Sequence, residues 1–297
     1  METVESLKRR IHTAEDLHSL VRTMKALAAV NIRQLEHAVE SLADYRRTIE
    51  MGLRVVLRHR GRSTVSARTS PQRTLGAIVL GSDQGMCGQL NDQIVAFAQD
   101  YIRNTSIPEE GRAVLAVGGR VASRLQDVSE ELETTLPVAG STSGITPLVH
   151  DILLRVERWH TESNIDRIVV FFCEHASRAT YRPRRLDLLP IDRRWLDTLH
   201  QQKWPTRVLP TFTMDADRLF SALVRQYLFV SLYRACAESL ASENASRLAA
   251  MRGAERSIGD RIGELTRLFH QQRQLSITEE LLDIASGFEA LSDVSGA

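Results

Sequence analysis

Every seventh residue from Leu7 is apolar: Leu7, Ala14, Val21, Ala28, Leu35, Leu42, Ile49 and Val56. The positions four further on are mixed, namely Ile11, His18, Lys25, Ile32, Val39, Arg46 and Leu53. A seven-residue repeat kept up this long commits a helix to winding left-handedly about another helix. Ala14 and Ala28 let that partner approach closely. A second line, Leu17, Leu20, Met24 and Leu27, makes the early part apolar on more than one side, so more than one neighbour is expected there. The helix is expected over residues 3–57, with Gly61 breaking it.

The partner is the other end of the chain. Residues 215–291 hold no proline, and their glycines are few and late (Gly253, Gly259, Gly263, Gly287). Apolar residues recur at helical spacing through Leu223, Val230, Ala237, a polar break at Asn244, then Met251, Ile258 and Leu265. The pattern then tightens to steps of four and three through Ile277, Leu281, Ile284, Phe288 and Leu291. At about 1.5 Å per residue such a helix would extend roughly 110 Å, too far for the inside of one globule. Laid antiparallel, the first helix reaches only to about Phe269. The apolar line beyond it needs cover from other chains, since an exposed stripe is a liability. An ordinary helix bundle is the competing arrangement, and the uncapped length argues against it.

Between the two helices the rhythm changes. Residues 58–73 are rich in Arg, Ser and Thr with no acid, which suits either contact with phosphates or an acidic surface, or a solvated linker. Residues 75–80 read as a buried strand, followed by a glycine-bearing loop and a helix over 89–103 with Leu90, Ile94, Phe97 and Ala98 inward. Residues 113–117 read as a second strand leading into a helix near 120–125. A third helix is expected over 146–162, with Thr146 as its cap and Pro147 in its first position. Strands follow at 167–173 and 181–189, then an irregular return over 192–210. Asp215 or Thr213 can cap the long last helix. Strand–helix alternation means an α/β layer with mostly parallel strands. The expected organisation is a coiled-coil helix (1–57), a basic linker (58–73), an α/β Rossmann-like domain (74–210) and a second coiled-coil helix (211–297). The fold class is thus an α/β insert in a long antiparallel coiled coil made by the N- and C-terminal helices.

Composition excludes several roles. Lys+Arg is 38 against Asp+Glu 37, so bulk charge favours neither nucleic acid nor a membrane surface. Aromatic content of 5% suits Ala/Leu-rich helices better than a β-sandwich. Arginine dominates the cations and favours bidentate contacts to carboxylates on partner surfaces. Cys87, Cys173 and Cys236 are odd in number and far apart, which is no disulfide framework and fits a reducing compartment. The first ten residues carry early charges and do not read as a secretory signal. No run of 18 apolar residues exists to span a bilayer.

Candidate chemistry is sparse. Gly81-Ser-Asp-Gln-Gly-Met-Cys-Gly88 follows a strand and opens a helix as a phosphate-cradling loop would, but it lacks a P-loop ending and dinucleotide-fingerprint spacing. Cys87 lies near a helix N-terminus without a nearby histidine base and reads as a packed residue. Cys173 and His175 share a strand face, yet two ligands do not close a metal site. Residues 140–144 lack the central serine of a nucleophile elbow. Arg178, Arg182, Arg184 and Arg185 with Tyr181 form the densest basic cluster and read as a protein-facing or solvated patch. Glu130, Glu131 and Glu133 read as a solvent face. No catalytic residue, cofactor or metal is expected.

The motif residues resemble one family over nearly the whole chain. Ile277-Thr-Glu-Glu-Leu-Leu-Asp283-Ile-Ala-Ser-Gly287 is similar to the C-terminal signature of the F-type ATP synthase gamma subunit. Ala241-Ser-Glu-Asn-Ala-Ser-Arg247-Leu-Ala-Ala-Met251, Arg273-Gln274, Met24 with Ala28-Ala29, residues 83–91 and Leu188-Leu-Pro190 fit the same pattern. Phe288, His270 and the Ser257-Ile-Gly-Asp turn depart from it and set the chain in a divergent branch. The resemblance implies a non-catalytic rotor shaft inside an alpha3-beta3 ring, with the epsilon subunit and the c-subunit ring as further partners. The complex would sit peripherally at the cytoplasmic face of a bacterial plasma membrane. It also implies rotor–stator contacts at Met24, Arg273, Gln274, Thr278 and Glu280, and an apolar sleeve around Ile277, Leu281, Ile284, Phe288 and Leu291. The alternative class is a nucleotide- or thiol-dependent enzyme on the α/β domain with a dimerising coiled coil.

Overall fold

The computed structural model describes residues 3–60, 74–128, 132–177, 180–204, 208 and 210–294, with the side chains of residues 60, 176–177 and 287–294 excepted. Of the expected basic linker 58–73, residues 58–60 are instead the last residues of α1, and 61–73 lie outside the described residues, as do Arg178, Glu130, Glu131 and the side chains of Phe288 and Leu291. The first helix, α1, runs Val4–Arg60 and the last, α6, runs Ala216–Val294. Asp215 caps α6, its Oδ1 accepting from the amides of Asp217 and Arg218 at 3.1 and 3.0 Å. The chain forms two compact units, Met1–Leu27 with Ala250–Ala297, and Ala28–Ala249.

The larger unit holds a five-stranded sheet. Its strands are β1 (Leu75–Leu80), β2 (Arg112–Val117), β3 (Thr134–Leu136), β4 (Arg167–Ser177) and β5 (Thr180–Leu189), in the spatial order β3-β2-β1-β4-β5. Every pairing is parallel except β4 with β5, a hairpin running antiparallel. Helices cover both faces: α2 (Leu90–Arg103) and α3 (Gly119–Asp127) on one, α4 (Thr142–Thr161) and part of α6 on the other. Alternate residues of each strand therefore enter different cores. Ala77 and Val79 lie in one apolar core with Ile94 and Val121, whereas Ile78 and Leu80 lie in the other with Ile152, Trp159 and Ala237. A strand buried on both sides reads as a continuous apolar run, and β1 is buried at all six positions.

Within this unit α1 and α6 run antiparallel. Asn31 Nδ2 donates to Asn244 Oδ1 at 3.4 Å, and Tyr45 Oη meets Gln226 Oε1 at 3.0 Å. The heptad line Ala28, Leu35, Ile49 and Val56 is buried. A short helix, α5 (Arg193–Gln201), packs Leu196 and Leu199 against Ile49, Leu53 and Val230. Asp192 caps it through the Arg194 amide at 2.8 Å.

The smaller unit is a two-helix seam. Leu7 and Val21 of α1 and Met251 and Leu265 of α6 are buried, and Lys25 pairs with Glu255.

Several expectations are corrected. The return over 192–210 contains α5, and β3 had not been read from the sequence. The third helix begins at Thr142 after Ser141, so Pro147 lies inside it rather than at its start. Phe97 is not inward but 39% exposed, its ring edge-on to Phe171 at 6.1 Å; Val95 and Ile102 take the core positions. Glu133 does not face solvent freely. It accepts from Trp159 Nε1 and from Arg155 at 2.6 Å, satisfying a core indole at its polar edge.

Candidate functional site

Beyond Leu265, most large apolar side chains of α6 are exposed. Relative to the line of Leu265 and half-buried Gln272, Ile277, Leu281 and Ile284 lie about 100–160° round the helix, at 3.6 residues per turn. They are 47%, 61% and 67% exposed. Leu268, Leu275 and Leu282 recur every seven residues at about 60–100° in the opposite sense and are likewise exposed. Sequence reasoning missed this second line, although its spacing was the readable signal. The tail thus shows apolar surface on both flanks of the seam.

Polar side chains stand between the apolar ones. Arg273, Gln274, Thr278 and Glu280 are all exposed on α6 within about two turns, and Thr278 Oγ1 donates back to the Gln274 carbonyl at 2.9 Å. Met24 stands on α1 and is half-buried, beside exposed Leu17, Leu20 and Leu27. The structure therefore brings the α6 residues together on one helical stretch and places Met24 on the other helix of the same unit. Such alternation of large apolar and hydrogen-bonding groups on an open face is what a protein partner covers.

The glycine-bearing loop after β1 has a different use. Asp83 spans two neighbouring backbones: its Oδ1 accepts from Gly119 N and its Oδ2 from Val138 N, both at 2.8 Å. Gly119 opens α3, where the helix dipole favours an anion. The chain's own carboxylate fills the position a phosphate would take. Asn91 closes the loop from below, donating to Ser82 Oγ at 2.8 Å and accepting from the Ser82 amide at 3.0 Å. From α6, Ser246 donates to the Cys87 carbonyl and Ser242 to the Cys173 carbonyl at 2.8 Å. The strand ends at which doubly wound folds hold ligands are here a socket for α6.

The thiols are packed. Burial, with Cys87 adding to it, pushes the Cys173 thiol up to about 12, and burial alone does the same for Cys236. Thiolate is the nucleophile, so neither sulfur is reactive near neutrality. His175 Nε2 lies 3.3 Å from Glu36 Oε1 rather than in a metal set. No group of three or more metal-ligating side chains occurs among the described residues. The arginine cluster is internally paired. Arg182 and Arg184 reach Glu174 at 2.7 and 2.8 Å, and Arg185 sits 4.7 Å over the Tyr101 ring. Burial pushes the Glu174 carboxyl up, but hydrogen bonds from Arg184 and Arg182 outweigh it and hold it below the usual range. Among the described residues no helix is long and apolar enough to cross a membrane.

Fold and surface together define a class: a long antiparallel coiled coil formed by the N- and C-terminal helices, with an α/β insert and apolar side chains exposed along its last helix. A family model described as ATP synthase matches residues 3–291. The chain belongs to the ATP synthase family. It is similar to the ATP synthase gamma chain of Nostoc punctiforme, 24% identical over 322 residues and covering 98% of this chain and 100% of that one. It is similar also to the gamma chain of Symbiobacterium thermophilum, at 25% over 294 residues, 98% and 99% covered. The rotor of the Euglena gracilis mitochondrial ATP synthase in rotational state 1 shares the fold, with TM-score 0.62, 15% identity, and 92% of this chain and 98% of that one covered.

Proposed function

We propose that this chain is the central-stalk gamma subunit of an F-type ATP synthase, a non-catalytic rotor that couples ion-driven rotation to conformational change at the beta-subunit sites. One observation carries the reading. The last described turns of α6 expose apolar side chains on two flanks, at Ile277, Leu281 and Ile284 and at Leu268, Leu275 and Leu282. An alpha3-beta3 ring would surround that stretch on all sides. Ile277, Leu281, Ile284, Phe288 and Leu291 would turn in its apolar sleeve. Met24, Arg273, Gln274, Thr278 and Glu280 would make the polar contacts with beta-subunit loops. The α/β domain would meet the epsilon subunit and the c-subunit ring, at the cytoplasmic face of a bacterial plasma membrane.

Such a rotor works as an asymmetric cam. Each orientation stabilises a different conformation of each beta site, so torque and nucleotide affinity are reciprocally linked. Asp83 in the anion position and buried thiols with raised pKa support the absence of catalysis in the α/β domain itself.

Affinity purification of the tagged chain from its native host tests this. It is expected to bring down alpha and beta subunits in fixed stoichiometry with ATPase activity. Recovery of the chain as a self-sufficient homodimer, with nucleotide bound to its α/β domain, would overturn it.

A further inference from the structure

Three glycines of α6 stand where, among the described residues, nothing requires glycine. At Gly253, Gly259 and Gly263 an added Cβ would meet no atom within 4 Å, and none has a positive φ. All three are exposed and helical. Alanine would fit each position and favour the helix by about fivefold in a local opening equilibrium. The helix is therefore weakened three times within eleven residues without a packing reason.

The seam weakens at the same place. Met251 and Leu265 are each 3% exposed, but Ile258 and Ile262 between them are only half-buried. On the α1 side here, buried Val21 stands among the basic side chains of His18, Arg22 and Lys25. Glu255 bonds Lys25 and lies within electrostatic reach of His18 and Arg22, and that hydrogen bond to Lys25 leads in holding its carboxyl low. His18 and Lys25 occupy companion positions of the heptad that a continuous apolar seam would fill with leucine. Backbone propensity and side-chain packing thus dip together between two well-buried positions.

We infer that residues 253–263 form a yielding joint in the two-helix unit, held at Met251 and Leu265 and soft between them. The joint lets α6 yield between Met251 and Leu265 under load from an enclosing surface while those buried positions stay seated. This use rests on the rotor reading above; the softness itself does not.

Hydrogen exchange on the full chain in its purified complex tests the softness. Amides of 253–263 should exchange faster than those of 244–251 and 265–272. The triple variant G253A/G259A/G263A should slow them about 100-fold, and the triple asparagine variant only about fivefold, because asparagine is also a poor helix former. ATP-driven proton pumping then reads the use. The alanine triple should assemble but pump less, whereas the bulkier asparagine triple should pump close to the parent. Exchange as slow as in the flanks would overturn the joint. Loss of assembly in the asparagine triple with normal pumping in the alanine triple would overturn it too, since close approach of a neighbour would then explain the glycines. Unchanged pumping in both variants would overturn the use. If the chain associates with no alpha or beta subunit, the rotor reading fails, while exchange on the isolated chain still decides the joint.

Discussion

Two adjacent glycines, Gly118 and Gly119, should respond very differently to the same substitution. Gly118 has φ +117, a region that disfavours any side chain, and the strain of an alanine there is about 1–3 kcal/mol. Its Cβ would also lie 2.6, 2.8 and 2.9 Å from the carbonyl oxygen, carbon and amide nitrogen of Ser82. Those are backbone atoms and cannot swing aside. Relief requires the loop after β1 to shift, which loosens Gly81 N to Val117 O (2.9 Å), Gly118 N to Leu136 O (2.8 Å) and Arg120 N to Ser82 O (2.9 Å). Each is worth about 0.5–1.5 kcal/mol, so Gly118→Ala should destabilise the α/β domain by roughly 3–6 kcal/mol. That is a large share of a typical domain's ~5–15 kcal/mol. At Gly119 the nearest atom to a Cβ is Asp83 Oδ1 at 3.8 Å, an ordinary contact, and the residue is helical. Gly119→Ala should change stability by less than about 1 kcal/mol. Urea unfolding followed by tryptophan fluorescence measures both, with Trp159 reporting from the core. Equal midpoints for the two variants would refute the reasoning.

Further expectations concern Asp83, Glu243 and Ile284. Asp83→Ala leaves two backbone amides without their acceptor; because the side chain is exposed and water can substitute, a loss of about 1–2 kcal/mol is expected in the same urea assay, with Asp83→Asn losing less. Burial raises the Glu243 carboxyl, Arg247 opposes that, and Asp83 adds to it. A folded pKa above the unfolded value gives stability that is full below the ordinary glutamate range and fades as pH rises through the folded value. Stability relative to Glu243→Gln should therefore fall as pH climbs above about 4.5; a difference that grows with pH would contradict the assigned direction. Ile284→Glu should leave the isolated chain's melting unchanged, since the side chain is 67% exposed. In the complex it would bury an unpaired carboxylate and reduce coupled ATP synthesis tenfold or more, at several kcal/mol of desolvation; synthesis at the parental rate would count against the sleeve.

The helical pair was legible because its signal is redundant. Eight residues from Leu7 to Val56 fall on one line, and each is buried or half-buried in the folded chain. β1 and β4 were legible as apolar runs for the same reason. β3 was not, because three residues, two of them threonine, carry too little pattern to stand out. The nine-residue α5 hid among arginines and aspartates, with only Leu196 and Leu199 marking its inner face. The start of α4 was misjudged because Thr146-Pro147 imitates a cap and first position. Burial of Ile145, the residue just before that pair, draws residues 142–146 into the helix in spite of the proline. At the candidate surface, the exposure of Ile277, Leu281 and Ile284 was legible from length, because the first helix laid antiparallel reaches only to about Phe269. The line of Leu268, Leu275 and Leu282 was obscured by its polar neighbours. The socket formed by Ser242, Ser246 and the loop at Cys87 joins residues as far as 159 positions apart, and no local pattern announces such a contact.

The pairing of the two ends has a consequence for how the polypeptide is made. Lys25 and Glu255 are separated by 230 positions, Asn31 and Asn244 by 213. At a translation rate of about 5–20 residues per second, the first helix leaves the ribosome roughly 10–45 s before its mate exists. Throughout that interval Leu7, Val21 and Leu35 have no home, while the sheet between can already close on α2, α3 and α4. The nascent N-terminal segment is therefore a natural client for a holding chaperone, and winding of the two ends is the late step of maturation.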